Sequence, residues 1–375
     1  MEAVVAIPAL DPDTRLIGLV DGLHERGFKQ FIVVDDGSGE EFQPVFAALE
    51  HRGVRVVRHP RNLGKGSAIK TAIAQMRFAY PGAPCLVTVD ADGQHQPDDV
   101  LRVCREAREQ PGVLVLGTRD LQARGVPLRS RIGNGFSSLY FKMDTGMRCH
   151  DTQTGLRVIP RTLFSLAART PGSRYDFEMN FLTRVVKDGH SVRVVPIRTV
   201  YEKGNAGSHF STVRDSLIIY RQFVRFSMSS IACSVVDLSM FALLTALVGL
   251  DTAATVAIAT MVARMFSGML NFDLNRGWSF AETGSLEGKA RIQAMRYSTL
   301  FVVQMVASMG LVTLLSFLPV PLVAIKALVD GGLFFVSHFI QRNWVFEPKA
   351  RGLRPALLKG GAHARKLPAH GYRAA

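Results

Sequence analysis

The sequence predicts an α/β domain with a doubly wound, mostly parallel sheet, followed by an all-α domain of four transmembrane helices. The α/β prediction rests on short, Val-rich apolar runs that alternate with stretches of helical periodicity through the first 210 residues. The transmembrane prediction rests on a change in composition. Charged residues are spread through the first 225 positions and become rare between Phe226 and Phe346.

Five strands are predicted from runs that are apolar on both faces, as strands buried in a parallel sheet are. They are Ala3–Ile7, Phe31–Val34, Val54–Val57, Leu86–Val89 and Val113–Leu116. Helices fit between them at Asp13–Arg26, Glu40–Leu49, Lys65–Met76 and Pro97–Arg108. Because such sheets bind ligands at the carboxyl ends of their strands, we expect the functional residues in the turns that follow.

A polar turn follows each of the first four strands. The turns are Pro8-Ala9-Leu10-Asp11, Asp35-Asp36-Gly37-Ser38, Asn62-Leu63-Gly64-Lys65-Gly66 and Asp90-Ala91-Asp92-Gly93-Gln94-His95. Their common position at one edge of the sheet predicts a single site. No GxGxxG follows the first strand, which argues against a dinucleotide-binding Rossmann domain.

Asp90 and Asp92 are two residues apart at a strand end, where an extended chain directs both carboxylates to the same side. Mg²⁺ or Mn²⁺ prefers one or two carboxylates together with phosphate oxygens of a substrate. Gln94 can add a neutral oxygen. The pattern predicts a metal and diphosphate site; the alternative is an acidic turn that caps the helix at Pro97.

Two further residues indicate a nucleotide. Asp36 can accept hydrogen bonds from a base N–H or a ribose hydroxyl, although an Asx turn or a helix cap is an alternative role. Lys65 adds a positive charge where a helix begins, and helix N-termini favour anions. The GxxxxGK[ST] spacing of a Walker loop is missing.

Together the segments IPALD, VVDDGSG, NLGKGSAI, VDADGQHQPDD and GTR resemble the inverting family 2 glycosyltransferases of GT-A fold. Over about residues 2–210 the chain is most similar to the polyprenyl-phosphate sugar synthases, the group of dolichol-phosphate mannose synthase. The resemblance implies that Asp36 binds the nucleobase and that Pro8 lies beside the nucleotide. It also implies that the metal ligands are Asp90, Asp92 and Gln94.

The first motif departs from the family pattern. Its usual acidic residue, as in IPAYNE, is replaced by Leu10-Asp11-Pro12, and either Asp11 or Asp13 is expected to substitute in nucleotide-sugar binding. The segment Lys203–Phe210 is interpreted as a loop that closes over the diphosphate, with Lys203 as a donor-binding residue.

The resemblance also identifies an acceptor side, because family members use arginines after the fifth strand to bind an acceptor phosphate. A planar guanidinium suits bidentate phosphate binding. The candidates in this stretch are Arg119, Arg129, Arg131 and Asn134. Asp151 to Arg157 match the acceptor-side D-x-x-T-G-x-R turn of the family, which adds Arg157. The alternative is an exposed basic loop near an anionic membrane.

The candidate catalytic residues are Asp92, Arg119, Arg131, Asp151 and Glu178. Glu178 begins an amphipathic helix, so a helix-dipole role competes evenly with a catalytic one. A hydroxyl acceptor needs a general base, whereas a lipid monophosphate is already an anion at neutral pH. Because the site is rich in Arg and metal ligands and shows no distinctive base dyad, the sequence favours a phosphate acceptor.

Four apolar stretches are each about long enough to cross a ~30 Å hydrocarbon core. They are Phe226–Val248, Ala253–Phe272, Tyr297–Leu318 and Leu322–Phe339. The short loops between paired stretches lack Lys and Arg, whereas the opposite ends are basic, so the positive-inside rule places both termini in the cytosol. An R-x-W-x-F motif at Arg276–Phe280 and again at Arg342–Phe346 resembles a GtrA-like membrane domain.

Charged residues inside these stretches predict two ion pairs. Asp237 and Arg264 lie about equally far from the first tight turn, so antiparallel helices bring them to one depth. Lys326 and Asp330 are four residues apart on one helix. The alternative for the first pair is that Arg264 snorkels and Asp237 is protonated and hydrogen-bonded.

The predicted organisation has four parts: a cytosolic GT-A domain at 1–210, an interfacial helix at 211–225, a GtrA-like domain at 226–346 and a basic cytosolic tail at 347–375. The net charge of +14 and the basic tail indicate an anionic membrane surface rather than nucleic acid. The four cysteines form no CxxC pair, which fits reduced thiols in the cytosol.

The predicted activity is inverting, metal-dependent transfer of a sugar from a GDP-mannose or UDP-glucose type donor to a polyprenyl phosphate. The product is a polyprenyl-phosphate monosaccharide, made at the cytosolic face of a bacterial or archaeal inner membrane. Expected partners are the nucleotide sugar, the lipid phosphate and the membrane, with no nucleic acid; a homo-oligomer is left open. The alternatives are transfer to a lipid or protein hydroxyl, and flipping or scaffolding of a lipid-linked sugar by the membrane domain.

Overall fold

The computed structural model describes residues 2–120, 128–198, 220–248, 253–281, 290–315, 317–320 and 322–346. These residues fall into two compact units, one comprising the described chain up to residue 198 and the other the described chain from residue 220. The first unit is α/β and the second is helical.

Strands and helices alternate through the first unit. The strands are β1 Val4–Ala9, β2 Phe31–Asp35, β3 Arg55–Arg58, β4 Cys85–Thr88, β5 Leu114–Arg119, β6 Arg157–Pro160 and β7 Val192–Ile197. The helices are α1 Arg15–Glu25, α2 Gln43–Glu50, α3 Lys65–Ala79, α4 Pro97–Glu109, α5 Leu128–Thr145, α6 Phe164–Arg169 and α7 Asp176–Lys187. All five predicted strands and all four predicted helices are present, with ends displaced by at most three residues.

The strands form one sheet in the order β3-β2-β1-β4-β6-β5-β7. Only β6 runs antiparallel to its neighbours, so the prediction of a mostly parallel sheet is confirmed. Arg157, the first residue of β6, pairs with Thr88 of β4 and with Leu116 of β5. Because β6 is reversed, the turn that precedes it lies at the carboxyl edge of the parallel strands, next to the four polar turns.

The core of this unit lies between the sheet and the helices that cover it. Val33 and Val87 from the sheet are fully buried together with Leu16 of α1 and Val100 of α4. Burial of a side chain of this size stabilises the fold by about 1.5–3 kcal/mol. The packed layer fixes the strand ends, and therefore the turns that carry the polar residues.

Four long helices make up the second unit. They are α8 Arg221–Val248, α9 Ala253–Leu274, α10 Ala290–Leu315 and α11 Leu322–Ile340. One segment of the described chain, Arg221–Leu244, has the length and mean hydropathy (1.6) required to cross a membrane. Helix α8 includes the last five residues of the predicted interfacial helix, and 211–219 lie outside the described residues.

The two R-x-W-x-F motifs meet inside the second unit. A single π-helical turn ends α9 at Asn275–Ser279 and another ends α11 at Gln341–Val345. Asn275 is fully buried, and its Nδ2 donates to Gln341 Oε1 at 3.0 Å. Phe280 stacks on Phe346 with ring centroids 5.0 Å apart. We call this contact between the two helical hairpins the hairpin joint.

Acidic residues inside the helices bind hydroxyl groups of neighbouring helices. Asp237 of α8 accepts a hydrogen bond from Ser267 Oγ of α9 at 2.9 Å. Asp330 of α11 accepts one from Ser308 Oγ of α10 at 2.6 Å. The side chains of the predicted cationic partners, Arg264 and Lys326, lie outside the described residues, so the two ion pairs stay predictions.

Candidate active site

A cleft of about 330 Å³ opens where β1, β2 and β4 end. Seven of the residues singled out from the sequence line it: Pro8, Asp11, Asp13, Asp36, Lys65, Asp90 and Asp92. Arg15 and Arg174 also line the cleft, and no motif in the sequence indicates either residue. The strand-end turns therefore meet at one cleft, and its use as a nucleotide-sugar site stays a prediction.

Helix α3 begins at the cleft in a way that only glycine permits. Gly64, which precedes the helix, has a φ of 97°, and a Cβ added there would lie 2.5 Å from Ser173 O. A Cβ on Gly66 would lie 2.4 Å from Phe177 Cβ. The glycines of the Gly64-Lys65-Gly66 segment therefore let the start of α3 pack directly against the chain around the start of α7.

Asp36 holds the turn that leads into α3. Its Oδ1 accepts a hydrogen bond from the Leu63 N–H at 3.0 Å and its Oδ2 accepts one from the Gly64 N–H at 2.8 Å. His59 Nδ1 lies 2.7 Å from the same Oδ1, and His59 Nε2 lies 2.9 Å from Thr71 Oγ1. Asp36 lines the cleft, but its carboxylate also has a structural task, and His59, which no sequence motif indicates, lies behind it rather than among the lining residues.

Asp11 ties the first turn to the second. Its backbone has a φ of 48°, its N–H donates to Ser38 Oγ at 2.9 Å, and its Oδ1 accepts from the Gly39 N–H at 3.2 Å. Asp13, the other candidate substitute for the missing acidic residue, accepts hydrogen bonds from Arg15 Nε. The bond from Arg15 lowers the pKa of Asp13, so Asp13 is ionised and paired at neutral pH.

Lys65 bridges two carboxylates at the centre of the cleft. Its Nζ lies 2.6 Å from Asp90 Oδ1 and 2.9 Å from Glu178 Oε1, and His95 Nε2 lies 3.3 Å from Asp90 Oδ2. Burial alone would raise the pKa of Asp90, but the charges of Lys65 and His95 outweigh it and lower that pKa. Burial would likewise lower the pKa of Lys65, but Asp90 and Glu178 raise it.

The second carboxylate of the motif, Asp92, is close enough to Asp90 for the two negative charges to repel each other. Burial and the Asp90 carboxylate raise the pKa of Asp92, while its Oδ1 accepts a hydrogen bond from the Gln94 N–H at 3.0 Å. No group of three or more His, Cys, Asp and Glu side chains is arranged to hold a metal among the residues that the structure describes. Two neighbouring carboxylates with substrate phosphate oxygens do suit Mg²⁺ or Mn²⁺.

The turn before β6 packs closely against the Asp90 carboxylate. A Cβ added to Gly155 would lie 2.2 Å from Asp90 Oδ2 and 2.4 Å from Asp90 Oδ1. Thr88 Oγ1, at the end of β4, donates to the Gly155 carbonyl at 2.6 Å. Gly155 of the predicted acceptor-side motif therefore limits where the Asp90 carboxylate can lie, a contact that no local sequence pattern indicates.

Arg157 is buried rather than directed at a ligand. The residue is 2% exposed, and its guanidinium donates to the carbonyls of Thr154 (2.8 Å), Glu178 (2.7 Å) and Thr152 (3.0 Å). This placement argues against the predicted contact with an acceptor phosphate. Arg157 instead ties the turn before β6 to the start of α7.

Arg119 and Asp151 form a bidentate ion pair. Arg119 Nε lies 2.7 Å from Asp151 Oδ2 and Nη2 lies 3.0 Å from Oδ1, and Asp151 is fully buried. Asn134 Nδ2 donates to the His150 carbonyl, and Arg131 is exposed on α5. The remaining predicted contacts, the Arg129 side chain and Lys203, lie outside the described residues.

Two successive segments of the chain match models of known protein families. Residues 5–172 match the model of glycosyl transferase family 2. Residues 210–346 match the model of the GtrA/DPMS transmembrane domain. The two matches follow each other along the chain in the order that the sequence predicts.

Two similar proteins carry descriptive names. The chain is 28% identical over 235 residues to the UDP-N-acetylglucosamine–dolichyl-phosphate N-acetylglucosaminyltransferase of Methanococcus voltae. The aligned region covers 57% of this chain and 92% of the relative. It is 25% identical over 225 residues to the polyprenol monophosphomannose synthase of Mycolicibacterium smegmatis, which covers 57% of this chain and 83% of the relative.

Among solved structures, the chain is similar to glucosyl-3-phosphoglycerate synthase from Mycobacterium tuberculosis in complex with Mn²⁺, UDP-glucose and phosphoglyceric acid. The TM-score is 0.44 at 18% identity, over 60% of this chain and 77% of that one. Residues 5–172 therefore match glycosyl transferase family 2 and residues 210–346 match the GtrA/DPMS transmembrane domain, and the chain is a glycosyltransferase.

Proposed function

We propose that the protein transfers a sugar from a nucleotide-diphosphate sugar to a polyprenyl phosphate at the cytosolic face of the membrane. The reaction inverts the anomeric centre, depends on Mg²⁺ or Mn²⁺, and yields a polyprenyl-phosphate monosaccharide. Binding of the nucleotide-sugar donor is supported by the cleft in which Asp90, Asp92 and Lys65 meet at the carboxyl edge of the sheet. The names of the two relatives, which describe a dolichyl-phosphate transferase and a polyprenol monophosphomannose synthase, support the acceptor.

On the donor side, Pro8, Asp11 and Asp36 line the part of the cleft formed by the first two turns, where the nucleoside is proposed to lie. Lys65 is proposed to contact the diphosphate. The ligands of the metal are proposed to be Asp90, Asp92 and Gln94. A metal bound there supplies positive charge that stabilises the leaving diphosphate.

On the acceptor side, the contacts in the described residues favour a phosphate over a hydroxyl. A hydroxyl needs a general base, and the two candidate catalytic carboxylates outside the proposed metal ligands are both ion-paired: Asp151 with Arg119, and Glu178 with Lys65. A phosphate monoester needs no base, so alignment and charge stabilisation are the remaining tasks. Arg119, oriented by Asp151, and exposed Arg131 are the proposed phosphate contacts.

The membrane domain supports a lipid acceptor. The match to the GtrA/DPMS transmembrane domain supports a membrane protein, and the four long helices of the second unit are proposed to span the bilayer with both termini in the cytosol. That orientation is supported by the absence of Lys and Arg from the two tight loops. It keeps the transferase domain on the side where nucleotide sugars are made.

The direct test uses the full-length protein in liposomes that contain a polyprenyl phosphate. Radiolabelled UDP-glucose, UDP-N-acetylglucosamine and GDP-mannose are supplied separately, each with Mn²⁺, and label in the lipid phase is counted. We expect one donor to label the lipid, and EDTA to abolish the labelling. Transfer to the matching free polyprenol at the same rate would favour a hydroxyl acceptor, and no transfer from any of the three donors would contradict this function.

A further inference from the structure

Lys65 holds the position that a cation needs beside the first carboxylate of the Asp90-Ala91-Asp92 motif. Its Nζ lies 2.6 Å from Asp90 Oδ1 and 2.9 Å from Glu178 Oε1. The Lys65 side chain is 15% exposed and the Glu178 side chain 3%, so solvent screens these charges weakly. In this structure, the charge of Asp90 is therefore matched by an ammonium group of the chain itself.

A divalent ion on Asp90 conflicts with that ammonium. Both cations require the same carboxylate, and like charges a few Å apart in a poorly solvated site repel strongly. Glu178 keeps the ammonium in place, because moving Lys65 away would separate a buried ion pair. The site without nucleotide thus disfavours the ion even though its two carboxylates suit it.

A nucleoside diphosphate removes the conflict by giving Lys65 a second anionic partner. Lys65 is the first residue of α3, and the N-terminus of a helix favours phosphate groups. It lines the same cleft as Asp36 and Asp92, and its flexible stem allows the ammonium to turn towards a ligand in that cleft. Once the ammonium leaves Asp90, both carboxylates of the motif face the ion.

We propose that Lys65 is an internal cation that occupies the divalent-ion site until a nucleoside diphosphate arrives, so that metal and nucleotide bind with positive cooperativity. This role rests on the proposed metal-dependent donor site and adds an order of binding to it. Because binding free energies are linked, the nucleotide should strengthen ion binding by the same factor by which the ion strengthens nucleotide binding. Lys65 acts here as a positioning residue.

The test measures Mn²⁺ affinity of the full-length protein in detergent by electron paramagnetic resonance, without nucleotide and with UDP or GDP. Mn²⁺ held by the free nucleotide is subtracted. Lys65→Met removes the internal cation, and the double variant Lys65→Met/Glu178→Gln removes it without leaving a buried charge. Lys65→Arg keeps the charge. Arg77→Gln, 12 residues and so ~18 Å further along α3, is the matched control for loss of one positive charge.

In the absence of nucleotide we expect the double variant to bind Mn²⁺ at least tenfold more tightly than the wild type. A nucleotide should tighten Mn²⁺ binding in every variant, because its phosphate oxygens coordinate the ion, but the factor should be at least tenfold larger in the wild type, Lys65→Arg and Arg77→Gln than in the double variant. Equal Mn²⁺ affinity of wild type and double variant without nucleotide would overturn this role of Lys65, as would full coupling in the double variant. Failure of the wild type to bind Mn²⁺ with either nucleotide would overturn the metal-dependent donor site instead.

Discussion

Replacing Gly155 with alanine should disable the metal motif without unfolding the domain. A Cβ at this position would lie 2.2 Å from Asp90 Oδ2, whereas an ordinary contact begins near 3.4 Å. The carboxylate must therefore move by about 1 Å, and a misplacement of that size can cost about 10²-fold in rate. The φ of Gly155 does not lie in the left-handed region, so the backbone itself tolerates an alanine.

We expect Gly155→Ala to lower kcat about 100-fold and to weaken Mn²⁺ binding in the presence of the nucleotide, with little change in the melting temperature. The assays are radiolabelled sugar transfer in liposomes, Mn²⁺ titration and thermal unfolding. Gly18→Ala is the control, because a Cβ there meets nothing within 4 Å and the position is inside α1, where alanine is favoured. Wild-type kcat for Gly155→Ala would refute the idea that this turn positions Asp90.

Three other substitutions test separate parts of the molecule. Asp92→Ala should abolish transfer while the protein stays folded, since one of two carboxylate ligands is lost; activity of this variant that survives excess EDTA would contradict the metal site. Arg119→Lys should raise KM for the lipid phosphate about tenfold, because an ammonium cannot reproduce the two-point contact with Asp151; an equal rise in the KM for the donor would show a general defect. Asn275→Leu should destabilise the second unit by about 1–2 kcal/mol in detergent, since Gln341 Oε1 loses a buried donor. An unchanged unfolding transition would show that the hairpin joint does not stabilise the unit.

The first four strand-end turns could be predicted from the sequence because in each case a short apolar run is followed directly by polar residues. It could not predict the pairing of Asp36 with His59. That contact exists because β2 and β3 are parallel neighbours in a register that sets Asp35 opposite Arg58, which brings the next residues of both strands together. No local pattern around His59 reports this pairing.

Strand β6 and the burial of Arg157 were missed for related reasons. The strand has four residues, of which Arg157 is the first and Pro160 the last, so its pattern is too short for a period to be seen. An arginine is usually exposed, and burial of Arg157 becomes favourable only because three carbonyl groups accept its hydrogen bonds, two from the turn before β6 and one from α7. That arrangement depends on the reversed strand and is invisible along the chain.

The hairpin joint has a consequence for how the second unit assembles. In lipid, apolar side chains attract one another little more than they attract the acyl chains. Apolar packing alone therefore gives similar energies to two alignments of the hairpins that differ by one helical turn. Asn275 and Gln341 remove that ambiguity, because any slide would leave two buried amides without each other. Each hairpin carries one of these amides, so the hydrogen bond that fixes the alignment needs both hairpins. Two separately expressed hairpins should therefore find each other in the membrane, whereas either one alone lacks the information that fixes its alignment.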